Sequence, residues 1–420
     1  MKNSGIEWIG EIPDSWELQP LRGHLIEIKE SNDPIQTTQV LSLTNKLGVI
    51  PYEEKGEQGN KSKENYNEYK LAYPNTIVAN SMNILIGSVG ICNYFGCVSP
   101  VYYVFKPKDE QELKFLDYIF QSQPFQKELR RYAKGILEIR LRVSANDILR
   151  RQVAFPSSQQ QKKIVDFLEA KLSQVDELIA NQQGQIEKLK EYKQSVITEA
   201  VTKGLDKSAS LKDSGIEWIG EIPENWNVFQ LKNISTIKTG HTPSTAHIEN
   251  FNGNVNWYTP GDFVNETIEN SSRKISEYAL QNEGITLFPV NTTLLVGIGG
   301  TAGKVCRILV EGYSNQQITA LMANDKVDPV YLFYELTASR QYLKDNAMYT
   351  TLPIINNGYL GSLKFVIPNI KTQKEIADYL DKKCGKIDRL IAIKQEKIEK
   401  LQEYKKSLIY EYVTGKKEVV

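Results

Sequence analysis

Residues 4–13 read SGIEWIGEIP, and residues 214–223 read SGIEWIGEIP again, 210 positions later. From Ser4 to Leu21, 12 of 18 positions match their counterparts, including Trp16 with Trp226 and Leu21 with Leu231. A second echo aligns Gln161–Thr202 with Gln373–Thr414 at an offset of 212, with 23 of 42 positions identical. Between the echoes, residues 22–150 and 232–362 share no comparable run. The period is far longer than the roughly 20 to 50 residues of a solenoid unit. Two copies of one frame carry two different inserts.

The 420 residues accommodate two to three domains at about 100 to 200 residues each, and each insert is long enough to bury its own core. Hydrophobic content of 40% and charged content of 24% are ordinary for a soluble globular chain. No apolar run approaches the roughly 20 residues needed to span a bilayer, and the polar N-terminus is no signal peptide, so a cytoplasmic protein without a membrane partner is expected. Cys92, Cys97, Cys306 and Cys384 form no CxxC pair, and His24, His241 and His247 are the only histidines. Free thiols in a reducing compartment are expected, not a metal site.

The repeated C-terminal segments read as helices. Ile164, Leu168, Leu172, Val175, Ile179, Ile186, Leu189 and Val196 recur mostly at steps of three and four, a heptad-like stripe. The second copy gives Ile376, Leu380, Cys384, Ile387, Ile391, Ile398, Leu401 and Leu408, with matched polar gaps at Gln182 and Lys394. Pro156 and Pro368 stop what precedes, and Thr372 with Glu375 fits a capping box. Each helix should run about 35 to 40 residues, roughly 55 Å. So narrow a stripe needs a partner, and an antiparallel coiled coil of the two copies is the simplest; each helix covering only its own insert is the blander alternative. Residues 203–213 are the linker.

The inserts look mixed. Extended patterns occur at Gln39–Leu43, Thr76–Ile86, Val101–Phe105, Thr292–Val296 and Gln317–Leu321, and helical ones at Leu113–Tyr132 and Pro329–Leu343. Several enzyme-like motifs fail on inspection. The run Gly300–Lys304 hints at a phosphate loop, but the motif needs glycine at Ile298 and a hydroxyl at Val305. Asp14 with Glu27 and Lys29 outlines a metal nuclease site, yet the second copy has Glu224 and no Glu-x-Lys. No Asn-Pro-Pro-aromatic motif for amino methylation is present. Nothing specifies catalysis.

Signals for DNA contact are better. Residues 127–151 hold eight basic side chains (Lys127, Arg130, Arg131, Lys134, Arg140, Arg142, Arg150 and Arg151) against three acidic ones. Such a cluster neutralises phosphates, and arginine forks read guanine edges. A solvated helix face is the plain alternative, but the alternation Arg140-Leu-Arg142 after Gly135 suits a projecting loop. The second insert has ten basic against eleven acidic residues between Lys232 and Pro368, so its contacts must be local. Lys238, Thr239, His241, Thr242 and Ser244 sit in a turn whose backbone N–H groups are candidates for phosphate. Gln316, with Asn315 and Gln317, and Tyr349, with Thr350, are candidates for base edges.

The run Thr202–Asp206, then Lys212–Pro223 and Trp226, resembles the joint of type I restriction-modification specificity subunits. Insert motifs are similar to that family's target-recognition domains: Val40–Thr44, Ser99–Tyr102, Thr239-Gly-x-Thr-Pro-Ser244, Trp257–Asp262 and Asn315–Gln317. The first insert lacks the Gly-x-Thr-Pro-Ser turn and the Trp…Pro-Gly-Asp run, so it resembles a different recognition subclass.

The resemblance implies an α+β chain with two globular mixed α/β target-recognition domains. Two long helices join them as an antiparallel coiled coil, with a pseudo-twofold internal repeat. The implied divisions are 1–21 (first frame), 22–156 (first recognition domain), 157–203 (first helix), 204–231 (linker and second frame), 232–368 (second recognition domain) and 369–420 (second helix). It implies double-stranded DNA as ligand, each domain reading half of a bipartite asymmetric site, with half-sites about 34 to 36 Å apart on one face. It also implies two modification (methyltransferase) subunits bringing S-adenosylmethionine and flipping adenine, and restriction subunits using ATP and magnesium. The chain itself then needs no cofactor and no catalytic residue. A stand-alone methyltransferase or nuclease, and a coiled-coil scaffold that ignores DNA, remain the alternatives.

Overall fold

The structure, a computed structural model, describes residues 1–44, 47–55, 65–108, 112–135, 141–349 and 353–419, with the side chains of Met348 and Tyr349 outside that description. It divides into two compact units, Met1–Gln183 with Gln395–Val420, and Gly184–Lys394. The two longest helices, Ser158–Lys203 and Ile370–Val413, each contribute part of their length to both units.

At 46 and 44 residues, both helices exceed the expected length. Their starts explain part of the difference. Ser157 and Gln160 form a reciprocal cap: the Gln160 N–H donates to Ser157 Oγ at 3.4 Å and the Ser157 N–H to Gln160 Oε1 at 3.3 Å. The second helix is capped by Asn369, whose Oδ1 accepts from the Thr372 N–H at 3.0 Å. Thr372 lies inside the first turn, so the Thr372/Glu375 cap expected from sequence starts the helix too late. One role escaped the sequence: Gln161 and Gln373 are buried counterparts that donate to Pro156 O and Pro368 O at 3.1 and 2.8 Å. Each ties its helix to the proline before it.

Within each unit the helices run antiparallel. In the first, Phe167 packs on Tyr412 with centroids 4.6 Å apart and Asp176 pairs with Lys405. In the second, Gln185 meets Lys394 and Lys193 meets Asp388. In both, one number rises while the other falls. Lys193–Asp388 and Lys405–Asp176 are one ion pair written twice, each partner offset by 212. Ile164, Leu168, Leu172, Val175 and Leu408 are buried in the first unit, and Val196, Ile376, Leu380, Cys384 and Ile387 in the second. All four cysteines are free and buried.

The frame repeats in space as in sequence. Glu17–Pro20 pairs antiparallel with Gln152–Phe155, and Asn227–Gln230 with Lys364–Ile367 in the same register. Each insert thus enters and leaves through one two-stranded ribbon. Trp16 and Trp226 are both buried. Gly415, at φ +70°, lies over Pro13 and Trp16, where a Cβ would come within 2.4 Å of Pro13 Cδ. Gly204, at φ +77°, lies on the Trp226 ring. A left-handed glycine ends each helix against a frame tryptophan.

The inserts share a topology that their sequences hide. The first orders its sheet Leu25–Ile28, Tyr102–Pro107, Thr76–Asn80, Val89–Cys92, all antiparallel. The second orders Ser235–Thr239, Ile318–Ala323, Thr293–Val296, Val305–Ile308 likewise, with Thr267–Ile268 added at the edge. Each helical run expected as one piece is broken by a buried serine. Ser122 divides Leu113–Gln121 from Gln123–Arg130, its hydroxyl donating to Ile119 O at 2.9 Å. Ser339 divides Pro329–Ala338 from Arg340–Asp345, donating to Leu336 O at 3.0 Å. A returning serine hydroxyl competes with the helical ladder, and Pro124 cannot extend it. A hairpin, a short helix capped by Ser144 or Asn356, and the ribbon strand then follow in both.

One buried pair in the second unit ties the insert to the helix end. Glu335 and Tyr331 are both fully buried. Tyr331 Oη lies 2.9 Å from Val366 O, 3.0 Å from Glu335 Oε1 and 3.2 Å from Val201 O. One hydroxyl proton serves only one of these acceptors. A neutral Glu335 donating to Tyr331 satisfies the geometry, and burial pushes its pKa well above the ordinary glutamate value. The native state therefore holds this proton more tightly than the unfolded chain. The stability it gives is complete below the ordinary carboxylate pKa and is lost as pH rises towards the native value, about 1.4 kcal/mol per unit of elevation. Glu335→Gln should flatten this decline of melting temperature between pH 5 and 8. Parallel curves for variant and parent would show that Glu335 ionises without cost.

Candidate nucleic-acid interface

In the second insert the chain turns at Gly240 straight across the loop before the strand Ile318–Ala323. A Cβ on Gly240 would lie 2.2 Å from Ser314 Oγ and 2.3 Å from Asn315 O, so only glycine permits the crossing. The Gly240 N–H donates to Ile318 O at 2.9 Å and the His241 N–H to Ser314 O at 2.8 Å. Thr242 Oγ1 donates to Gln316 Oε1. Thr239 Oγ1 accepts from Asn357 Nδ2 at 2.8 Å, and Trp257 Nε1 donates to His241 O at 3.0 Å. Two sequence-distant candidate segments, residues 238–244 and 315–317, are thereby brought together. Lys238, His241, Ser244 and Gln316 are exposed there.

The turn is not the anion cradle expected from sequence. Its N–H groups at 240 and 241 serve backbone carbonyls, and the Ser244 N–H donates to Glu283 Oε1 at 3.2 Å. The Ser244 N–H, with Asn250 and His241, holds the Glu283 carboxyl below the ordinary glutamate range. A carboxylate thus sits where a phosphate was expected, with Oε2 3.7 Å from His241 Nε2. Glu283 was missed because it is distant in sequence. What the turn presents outward is the side chains of Lys238, His241 and Ser244.

Corresponding places in the first insert carry different chemistry. After Leu25–Ile28, Asn32 is fully buried; its side chain accepts from the Gln36 and Thr37 N–H groups and donates to Thr37 O and Tyr66 O. Before the strand Tyr102–Pro107, residues 99–102 form a turn closed by Tyr102 N–H to Ser99 O at 2.9 Å. The hairpin is closed by Lys134 and Arg142, whose backbones exchange hydrogen bonds of 2.8 and 2.9 Å. Its counterpart pairs Met348–Tyr349 with Pro353–Ile354. Both hairpins touch the turn after the third sheet strand: the Val143 N–H donates to Ser81 O at 3.2 Å and the Ile355 N–H to Gly297 O at 2.8 Å.

The basic cluster of the first insert sorts itself. Arg131 pairs with Glu7 of the frame at 2.6 Å and with Glu128 at 3.2 Å, so its charge is answered within the protein. Arg151 lies on the Tyr132 ring at 3.5 Å and donates to Asp147 O. Arg130 is exposed, and Arg130, Lys134 and Arg142 form no ion pair among the described residues. Arg140 and the Tyr349 side chain lie outside the described residues.

Comparison with known proteins agrees with this layout. The family model for the type I restriction modification DNA specificity domain matches residues 15–191 and again 223–403. Among curated proteins, the type I restriction enzyme MjaIX specificity subunit of Methanocaldococcus jannaschii is 30% identical over 167 residues, 39% of this chain and 38% of that protein. The MjaVIII specificity subunit of the same organism is 27% identical across 74% of this chain and 72% of its own. The putative MjaX specificity subunit is 25% identical over 97% of this chain and 95% of its own. Among solved structures, a chain from work on complex assembly and conformational transition of a type I R-M system superposes with a TM-score of 0.72 at 15% identity, covering 96% of this chain and 98% of that one. Carrying two matches in tandem, with a different set of loops on each, the chain belongs to the type I restriction modification DNA specificity domain family and is a specificity subunit.

Proposed function

We propose that each insert reads one half of a split, asymmetric DNA site, that the two long helices set the spacer, and that the repeated frame docks two modification (methyltransferase) subunits. The observation that carries this reading is the contrast within one topology: the same sheet order and hairpin present unlike side chains on a duplicated frame. Exposed frame residues support a partner used twice. Leu178 with Leu390, and Tyr192 with Tyr404, are identical repeat counterparts, each nearly half exposed although no core requires it. In this reading the chain supplies the address; S-adenosylmethionine belongs to the modification subunits, and ATP with magnesium to restriction subunits. Among the described residues no helix is long and apolar enough to cross a membrane.

The test begins with the purified chain, which should neither methylate nor cut DNA. Adding modification subunits, two per chain, should give adenine methylation at one bipartite sequence. Methylation by the chain alone would sink the reading.

Arginine placement gives a sharper expectation. Arg140→Ala with Arg142→Ala should cost about 1 to 3 kcal/mol for each guanidinium that reads a base and relax only the half-site read by residues 22–156. Arg131→Ala, already committed to Glu7 and Glu128, should leave that preference in place. Methylation rates on duplexes altered in one half-site at a time would check both.

A further inference from the structure

The glycine-rich turn after the strand Thr293–Val296 borders a cavity of about 390 Å³. Its walls include Gly300, Thr301 and Lys304 from the turn, Arg340 and Lys344 from the helix Arg340–Asp345, and Gln194 from the first long helix. Three of the second insert's ten basic residues therefore share one concavity. Among the described residues none of the three forms an ion pair. The one acidic side chain on that short helix, Asp345, instead accepts from Gln341 Nε2 at 2.7 Å. Like charges gathered without a counter-ion repel one another, and an anion in the cavity removes that cost.

Uncommitted donors point to the anion's shape. The N–H groups of Ala302, Gly303 and Lys304 are bonded to Gly299 O, Val296 O and Thr301 O. Those of Gly300 and Thr301 have no acceptor among the described residues. Two backbone donors, a planar guanidinium fork and two ammonium groups match the tetrahedral oxygens of phosphate. The turn lacks the residues of a nucleotide phosphate loop, as Ile298 and Val305 show, so one phosphate group is the fitting ligand. Among the described residues the first insert has no counterpart: a Cβ on Gly87, at the matching turn, would meet Gln121 Oε1 at 2.9 Å and Gln126 Nε2 at 3.0 Å. Amides fill that place.

We propose that this cavity of the second insert is a phosphate-binding site. Two sources share the chemistry, a DNA backbone diester and a free phosphate. The turn adjoins the reading hairpin, through Ile298 bridged to Ile354 and the Gly299 N–H on Pro353 O at 3.3 Å. This favours the backbone, and that preference rests on the DNA-reading function proposed above. In an insert with no net positive charge, the cavity concentrates on one phosphate the cations that the first insert spreads over its helix and hairpin.

The experiment uses the full chain assembled with its modification subunits. It compares the parent, Arg340→Gln/Lys344→Gln, and the charge-keeping Arg340→Lys/Lys344→Arg. Affinity is measured against salt for a duplex with both half-sites and for a scrambled one, and melting temperature against inorganic phosphate. A backbone site predicts that the Gln variant loses about one unit of salt slope, equally on both duplexes, while the charge-keeping variant retains it. A free-phosphate site predicts an unchanged slope, with inorganic phosphate raising the melting temperature of the parent and the charge-keeping form alone. A Gln variant that folds and matches the parent in both measurements overturns the proposal. Failure of the DNA-reading function shows separately, as a parent that does not distinguish the two duplexes.

Discussion

Gly240→Ala is expected to abolish recognition of the half-site assigned to the second insert while leaving the first half-site's preference intact. The added methyl would lie 2.2 Å from Ser314 Oγ, 2.3 Å from Asn315 O and 2.5 Å from Ser314 O. Two of these are backbone atoms of a loop that is itself anchored. The Asn315 N–H donates to Tyr258 O at 3.1 Å, and Ser314 O accepts from the His241 N–H. Relief therefore requires the two loops to part, breaking the Gly240 and His241 hydrogen bonds. Overpacking costs about 1 to 3 kcal/mol, and each buried group left unpaired adds about 1 to 3 kcal/mol. The strand pairing of Ser235–Thr239 with Ile318–Ala323 extends well beyond the turn, so the sheet should survive. With the loops parted, the side chains they carry lose their placement, and each base contact forgone removes about 1 to 3 kcal/mol of discrimination. Methylation rates on duplexes altered in one half-site at a time, with calorimetry of the variant, would check it. A folded variant that still discriminates at the second half-site would mean these loops do not read DNA.

The frame was legible because its residues repeat outright: Trp16 and Trp226, and the stripes from Ile164 and Ile376, do the same work twice. The cap of the second helix was placed too late because Asn369, directly after a proline, caps ahead of Thr372. The kinship of the inserts was invisible because strand order depends on backbone pairing, which leaves side chains free to diverge. Even the shared break at Ser122 and Ser339 hides among unrelated neighbours. At the site, local alternation singled out Arg140 and Arg142, of which only Arg142, bridged to Lys134, is among the described residues. The turn at 238–244 was misread because the acceptors of its N–H groups, Ile318, Ser314 and Glu283, are far along the chain. The cavity is non-local in the same way, since Lys304, Arg340, Lys344 and Gln194 come from three separate elements.

The second large effect concerns the helices. Both pass from one unit to the other, at Gln183/Gly184 and at Lys394/Gln395. The pair Asp176–Lys405 lies wholly in the first unit and Lys193–Asp388 wholly in the second. Lys193, almost buried, also meets Glu266 of the insert at 2.7 Å. Burial opposes its charge, yet Glu266 and Asp388 hold its pKa above the ordinary lysine value. Four residues inserted after Gln182, and four after Lys394, should leave both ion pairs in register, because each helix gains the same length between them. A heptad-like stripe absorbs four residues as a stutter. The addition lengthens each helix by about 6 Å, close to two base-pair rises of about 3.4 Å.

The decisive measurement is a methylation map of DNA from cells expressing the double-insertion chain with its modification partner. The proposed ruler predicts the same two half-site sequences separated by a spacer about two base pairs longer. Methylation by the folded variant at the original spacing would contradict it, and the repeated frame would then need another explanation.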